Sequence, residues 1–163
     1  MKRLHSSAEI LAVLTQFDHA FPRAITARVA DLESHARQLA ERALVYIAER
    51  DGAVAGFLAF YANDVASATA FLTHIAVDER FRGSGIGLAL MRICIEESRQ
   101  AGMRKLELEV DTANLAAIGF YESLGFSCSA PASPESIYMR MDLGFSCSSQ
   151  PGGRKIVTFH VKY

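Results

Sequence analysis

Hydrophobic and polar positions follow helical or strand spacing along most of the chain. An isolated Leu4 indicates a short first strand, and Ser6 with Glu9 three residues later is typical of a capping box that opens a helix through about Phe17. After Pro22, helical spacing of apolar residues predicts a second amphipathic helix, carried by Ile25, Val29, Leu32, Ala36 and Leu39. The chain is therefore predicted to begin with a strand and two helices.

The middle of the chain has the pattern of consecutive strands. Two apolar, β-rich runs at 44–48 and 54–61 are joined by Asp51-Gly52, a dipeptide typical of tight hairpins. After a polar turn, a further apolar run predicts a strand at 71–77. This part of the chain is therefore expected to form three strands in succession.

Helices and strands alternate in the second half of the chain. The predicted elements are a helix at 88–101, a strand at 105–110, a helix at 114–124, and strands at 126–129 and 137–142. Gly102 and Asn114 stand where a helix C-cap and a helix N-cap are expected. The whole order, β-α-α-β-β-β-α-β-α-β-β, predicts a mixed α/β layer fold over residues 1–143.

Residues 144–163 lie beyond this pattern and are interpreted as a C-terminal extension. The segment 124–129 recurs unchanged at 143–148, which is too short a repeat for a solenoid unit. Alternation over 156–163 favours either a mobile appendage or an extra strand. Such a strand would dock on the sheet of its own or a neighbouring subunit and promote a homodimer.

Composition narrows the class of protein. Half of the 163 residues are hydrophobic and 21% are charged, which is ordinary for one globular domain with a sizeable core. The formal net charge of −1 argues against nucleic-acid binding through general positive potential. Because no apolar run approaches membrane-spanning length and the run at 10–14 is too short for a signal peptide core, we expect a cytoplasmic protein without membrane partners.

The cysteines Cys94, Cys128 and Cys147 lack the spacing of metal ligands, and no metal site is expected. An odd number leaves at least one of them unpaired in a monomer, which favours a reducing compartment. Cys94 lies within a helical apolar pattern and is expected to be a small core residue.

Glycines dominate the segment from Arg82 to Gly87, Arg-Gly-Ser-Gly-Ile-Gly, between a predicted strand and a predicted helix. Such a turn uncovers backbone N–H groups at the positive end of a helix, which favours a phosphate-bearing ligand. A dinucleotide fingerprint would need glycine in place of Leu88 or Leu90, and a P-loop would need Gly-Lys-Ser/Thr. The segment fits Arg/Gln-x-x-Gly-x-Gly/Ala instead, through Arg82, Gly85 and Gly87. It therefore resembles the pyrophosphate-binding signature of the GNAT superfamily of acyl-CoA N-acyltransferases.

A second segment, 114–126, is similar to the Asn-x-x-Ala-x-x-x-Tyr-Glu-x-x-Gly-Phe element of that family. The matching residues are Asn114, Ala117, Tyr121, Glu122, Gly125 and Phe126. Together the two segments imply the family's fold over about residues 1–143 and acetyl-CoA (coenzyme A) as cofactor. They also imply an N-acetyltransferase that moves the acetyl group directly to a primary amine in a ternary complex.

The resemblance also assigns cofactor-binding residues. Main-chain groups of Ile75, Ala76 and Val77 would pair with the pantetheine arm and polarise the thioester, because an extended arm can add to a sheet edge like a strand. The pyrophosphate would be held by Arg82, Gly83, Ser84, Gly85, Ile86 and Gly87. Asn114, Ala117 and Tyr121 complete the expected cofactor site.

Tyr121 is also the expected catalytic acid. A phenol with a pKa of ~10 is suited to protonate the departing CoA thiolate, whose thiol has a pKa of ~8.5. Considered without the resemblance, Tyr121 would be interpreted as a core tyrosine on an apolar helix face.

Glu109 is the preferred general base. It precedes Asn114 and Tyr121 with a spacing that resembles ribosomal-protein N-terminal acetyltransferases, in which the matching glutamate is the base. His74 is the rival, because an imidazole titrates near neutral pH. A third alternative is that no base is needed, since an α-amine of pKa ~8 is already about 10% neutral at pH 7.

The acceptor is expected to be a small-molecule or peptide amine, which no motif identifies further. A different class of function is a non-catalytic module that binds CoA or acts in protein interaction. The intact residues of both signature segments favour the enzyme.

Overall fold

The structure, a computed structural model, describes residues 1–144. Within them the strands are β1 (Lys2–Leu4), β2 (Leu44–Arg50), β3 (Ala53–Asp64), β4 (Thr69–Val77), β5 (Lys105–Asp111), β6 (Ser127–Ser133) and β7 (Ser136–Asp142). The helices are α1 (Ser7–Gln16), α2 (Leu32–Arg42), α3 (Ile86–Gln100) and α4 (Leu115–Ser123). This order confirms the predicted mixed α/β fold, whereas the extra strand predicted at 156–163 and its dimer lie outside the described residues.

One sheet with the strand order β1-β2-β3-β4-β5-β7-β6 separates two layers of helices. Apolar residues of α3 and α4 pack on one face, and those of α1 and α2 pack on the other. Cys94 of α3 is fully buried in the first of these clusters, which confirms its predicted place in the core. None of the helices found in residues 1–144 is long and apolar enough to cross a lipid bilayer.

The sheet opens between its two central strands. β4 and β5 are parallel neighbours, but their register extends only from Thr69 opposite Lys105 to Leu72 opposite Leu108. A bulge then falls at Thr73, because Leu72 pairs with Phe60 and His74 with the preceding Ala59. Beyond Leu72 no register pairs join the two strands, so the middle of the sheet contains a gap.

The connection between α1 and α2 differs from the prediction. The second helix starts at Leu32, where Asp31 caps it by accepting a 2.7 Å hydrogen bond from the Ser34 N–H. The predicted helix was wrong over 25–31, where Ile25–Ala27 form a separate 3₁₀ turn. The buried Asp18 carboxylate holds this turn by accepting bonds from the backbone N–H and hydroxyl of Thr26, at 2.8 and 2.9 Å.

Two element ends also differ from expectation. Ser6 occupies the N-cap position of α1, but its side chain makes no capping bond, and Glu9 instead pairs with Lys2 at 2.9 Å. β6 extends through Pro131, beyond the strand predicted at 126–129. Proline is tolerated there because β6 is an edge strand, so its missing N–H removes no necessary ladder bond.

Candidate active site

A cavity of about 340 Å³ occupies the gap between β4 and β5. Leu72 and Leu108, the last pair of the parallel register, both line it. Its other walls come from α4, the α1–α2 connection and the turn between β6 and β7. Because α4 lies on one face of the sheet and the α1–α2 connection on the other, the cavity joins the two faces.

Five of the residues predicted from sequence line this cavity together: Ile75, Glu109, Asn114, Ala117 and Tyr121. Ala76, Val77 and the turn at 82–87 do not line it, and neither does His74. The glycine turn nevertheless lies close by, because a Cβ on Gly87 would be 3.7 Å from the Val77 Cγ2 and the Phe120 Cζ. These contacts place the turn against the end of β4 and against α4, next to Tyr121.

The glycine turn has the backbone geometry of an anion site. Gly83 and Gly85 have φ angles of +75° and +82°, in the left-handed region that side chains disfavour. Gly85 is the N-cap of α3, and residues 82–85 are exposed. The first N–H groups of a helix have no acceptor within it, so those of α3 are free to bind a negatively charged group.

Tyr121 is buried at the cavity wall, with 8% of its surface exposed. Its ring packs against Phe120 and Phe126, with centroid distances of 5.5 and 5.7 Å. Burial, and secondarily the nearby Cys94, raise the pKa of the phenol above its ordinary value. The group therefore carries its proton at neutral pH, and Tyr121 forms part of the cavity wall.

Glu109 lies on the opposite face of β5 from the core residues Leu108 and Val110, because strand side chains alternate. One of its carboxylate oxygens accepts a 2.5 Å hydrogen bond from the Ser136 hydroxyl. Within residues 1–144 no hydrogen bond reaches the other oxygen. A carboxylate thus faces the cavity from the side of the α1–α2 connection.

His74 occupies a different environment from Glu109. It is 4% exposed, its Nε2 lies 2.9 Å from the Nε2 of His35, and its ring contacts Phe21 and Phe57. Burial, together with His35 and Arg28, lowers the pKa of His74 to about 3. His74 is therefore a neutral residue of the α2–sheet interface.

The cavity also has polar residues that the sequence analysis did not identify. Arg23 and Arg28 line it from the α1–α2 connection, and Glu135 lines it from the β6–β7 turn. Arg23 and Glu135 form an ion pair that joins these two segments. Because they are 112 residues apart in sequence, no local pattern could have shown that they meet.

Gly56 of β3 permits the close approach of α3 to the sheet. A Cβ there would lie 2.8 Å from the Ala76 carbonyl oxygen, 3.1 Å from the Ile86 Cγ2 and 3.3 Å from the Leu90 Cδ1. All three distances are shorter than an ordinary van der Waals contact. Gly56 therefore sets the position of the glycine turn relative to β4.

Comparisons with known proteins agree with this architecture. Residues 10–126 match the Acetyltransferase (GNAT) family. The chain is 36% identical over 114 residues to the [ribosomal protein bS18]-alanine N-acetyltransferase of Escherichia coli (strain K12), and the alignment covers 70% of each chain.

Solved structures show the same fold. A crystal structure of the ribosomal-protein-S18-alanine N-acetyltransferase from Escherichia coli superposes with a TM-score of 0.68 and 27% identity, covering 91% of this chain and 97% of the other. An acetyltransferase of Salmonella typhimurium, solved with its cofactor acetyl-CoA, gives a TM-score of 0.70 at 20% identity, covering 93% of this chain and 99% of the other.

Proposed function

The chain belongs to the Acetyltransferase (GNAT) family, and we propose that it transfers an acetyl group from acetyl-CoA to a primary amine in a ternary complex. Acetyl-CoA is the cosubstrate of this acyl-CoA N-acyltransferase. The observation that carries the proposal is the cavity through the sheet. It brings a buried phenol, Tyr121, and a carboxylate, Glu109, to one space from opposite faces.

The cofactor would extend from the glycine turn into the gap. The turn at 82–87 offers backbone N–H groups to the pyrophosphate, with Arg82 exposed beside them. The pantetheine arm would follow Ile75, Ala76 and Val77, where β4 has no partner strand on the side of β5. Asn114 caps α4 through a 3.2 Å bond from the Ala117 N–H, which fixes that wall of the site.

The chemistry assigned to the two side chains is proton transfer. The amine nitrogen bonds to the acetyl carbon and the carbon–sulfur bond breaks. Glu109 takes the proton that the nitrogen loses, and Tyr121 supplies a proton to the departing sulfur. Tyr121 carries a proton at neutral pH, whereas His74 does not line the cavity and its lowered pKa makes it a weak base.

An α-amine is the acceptor that these observations favour. The related Escherichia coli enzyme is named for an alanine of a ribosomal protein. An α-amine is also about 10% neutral at pH 7, whereas a lysine amine of pKa ~10.4 is almost fully charged. The N-terminus of a peptide provides such a group.

Release of CoA from acetyl-CoA tests this function. The assay compares a panel of alkylamines, amino acids and peptides with the rate of acetyl-CoA hydrolysis when no amine is present. We expect at least one α-amine to raise CoA release well above hydrolysis and to yield an acetylated product by mass spectrometry. If every amine leaves the rate unchanged while acetyl-CoA still binds, the alternative of a non-catalytic CoA-binding module is correct.

Glu109→Gln is expected to lower kcat/KM by about 10²-fold with an amine of high pKa and by less with an α-amine, because it removes the base. Raising the pH deprotonates the amine without help and partly restores the rate. The measurement is a pH profile of kcat/KM for one amine of each kind.

The control for this variant is Glu107→Gln, on the same face of β5. Glu107 pairs with Arg140 at 2.7 Å and lies outside the cavity, so its loss affects stability more than rate. A pH-rescued defect in His74→Gln that is missing in Glu109→Gln would show that the base has been assigned to the wrong residue.

Gly56→Ala is expected to raise the KM for acetyl-CoA about tenfold, equivalent to about 1.4 kcal/mol, because the new methyl group displaces α3 from β4. Overpacking should also lower the free energy of unfolding by about 1–3 kcal/mol. Steady-state kinetics and urea denaturation measure the two effects.

Gly119→Ala is the control for Gly56→Ala. Gly119 lies in α4 with nothing within 4 Å of its added Cβ, so alanine there should stabilise the helix by up to about 1 kcal/mol. An unchanged KM in Gly56→Ala would mean that the glycine turn does not depend on this contact.

A further inference from the structure

Arg28 lies in the cavity wall on a firmly held backbone. It follows the 3₁₀ turn Ile25–Ala27, and its N–H donates a 2.9 Å bond to the Ile25 carbonyl. Ile25 is fully buried, and Thr26 is held by Asp18. The guanidinium lies 5.1 Å from the centroid of the Phe21 ring, a stacking distance that restricts its orientation.

The guanidinium of Arg28 has no anionic partner within residues 1–144. No carboxylate oxygen of those residues lies within 4.0 Å of its nitrogens. The other charges of the cavity have partners: Arg23 pairs with Glu135, and Asp111 accepts a 2.8 Å bond from the Ala113 N–H. The guanidinium of Arg28 is therefore available to bind an anionic group of a ligand.

Glu109 lines the same cavity as Arg28. Burial lowers the pKa of Arg28, the negative charges of Glu109 and then Asp18 oppose this effect, and the positive charge of Arg23 adds to it. The nitrogens of Arg28 and the carboxylate oxygens of Glu109 are nevertheless more than 4.0 Å apart. Opposite charges that face one space without touching suit a ligand that carries both charges.

We propose that Arg28 binds a carboxylate of the acceptor while Glu109 meets its amine, so that the preferred acceptor carries a carboxylate a few bonds from its amine. This inference rests on the proposed function and specifies its substrate class. A guanidinium binds a carboxylate through two parallel N–H···O bonds, which fixes orientation as well as affinity. The carboxylate is either the α-carboxylate of a free amino acid or the side chain of an N-terminal Asp or Glu in a peptide.

Sets of acceptors that differ in the carboxylate distinguish a free amino acid from a peptide as its source. Leucine is compared with leucinamide and 3-methylbutylamine, which lack the carboxylate. The peptide Asp-Ala-amide is compared with Asn-Ala-amide, in which no other carboxylate is present. We expect kcat/KM to be about 10- to 100-fold higher for the carboxylate-bearing member of at least one set, the range typical of a charged hydrogen bond.

Arg28→Ala should abolish that preference, because the carboxylate of the acceptor then has no cation to bind. Comparing the ratio of acceptors between wild type and variant cancels differences in amine pKa. Arg37→Ala is the control, because Arg37 is exposed on α2, bonds Ser34 at 3.0 Å and lies outside the cavity. Thermal melting confirms that both variants fold.

The outcomes distinguish this inference from the function on which it rests. If Arg28→Ala leaves the ratio of kcat/KM between the acceptors with and without a carboxylate unchanged in both sets, the inference is overturned and the acetyltransferase function stands. If no amine releases CoA, the proposed function fails, and the inference is then tested by the binding of the carboxylate-bearing ligands. A melting shift caused by leucine or by Asp-Ala-amide in wild type but not in Arg28→Ala would then support it, and the lack of a shift with both ligands would overturn it.

Discussion

Tyr121→Phe should lower kcat by about 10²- to 10⁴-fold while the affinity for acetyl-CoA changes by less than about threefold. The phenylalanine ring keeps the packing against Phe120 and Phe126, so only the proton donor is lost. Single-turnover kinetics measure the acetyl-transfer step, and the shift in melting temperature with acetyl-CoA reports binding.

Tyr46→Phe is the matched control for Tyr121→Phe. Tyr46 lies on β2, packs against the core on the same face of the sheet and does not line the cavity. Its loss of a hydroxyl should leave kcat unchanged. Equal losses of kcat and acetyl-CoA affinity in Tyr121→Phe would contradict the role of an acid, because they would indicate a disturbed binding site.

Gly85→Asp should abolish the stabilisation of the protein by acetyl-CoA. In wild type, acetyl-CoA at about 100 times its Kd should raise the free energy of unfolding by about 2.7 kcal/mol, since it binds only the folded state. The variant places a carboxylate where the proposed pyrophosphate site begins, and a side chain where φ is +82°. Thermal melts with and without acetyl-CoA provide the measurement.

Gly102→Asp separates backbone strain from the effect on the ligand. Gly102 ends α3 with a φ of +80° and, like Gly85, has nothing within 4 Å of an added Cβ. Both variants place a side chain where φ is positive, but only Gly102→Asp should keep the full shift with acetyl-CoA. A full shift in Gly85→Asp would remove the glycine turn from the cofactor site.

Most of the fold could be predicted because its signals are local. Alternation at 105–110, the Asp51-Gly52 turn and the caps at Gly102 and Asn114 each depend on residues close in sequence. The prediction failed over 25–31, where apolar spacing favoured a helix. There the backbone is set by a bond from Thr26 to Asp18, eight residues away, which has no periodic signature.

Part of the candidate site could also be predicted from the sequence, and part could not. Tyr121 and Glu109 were predicted as the catalytic pair, and the structure brings both to one cavity. Arg28 and the pair Arg23–Glu135 have no motif, because their positions depend on how the α1–α2 connection and the β6–β7 turn meet. The sequence therefore identified the residues proposed for the reaction, but not those near the proposed acceptor.

The short parallel register between β4 and β5 divides the sheet into two parts. One part contains β1 to β4 and the other β5 to β7, and the two pair only through the segments Thr69–Leu72 and Lys105–Leu108. We therefore expect the relative motion of the two parts to be largest at the unpaired end, farthest from these segments. An extended molecule bound in the gap would connect the two parts of the sheet, so we expect the gap to widen when such a molecule is released.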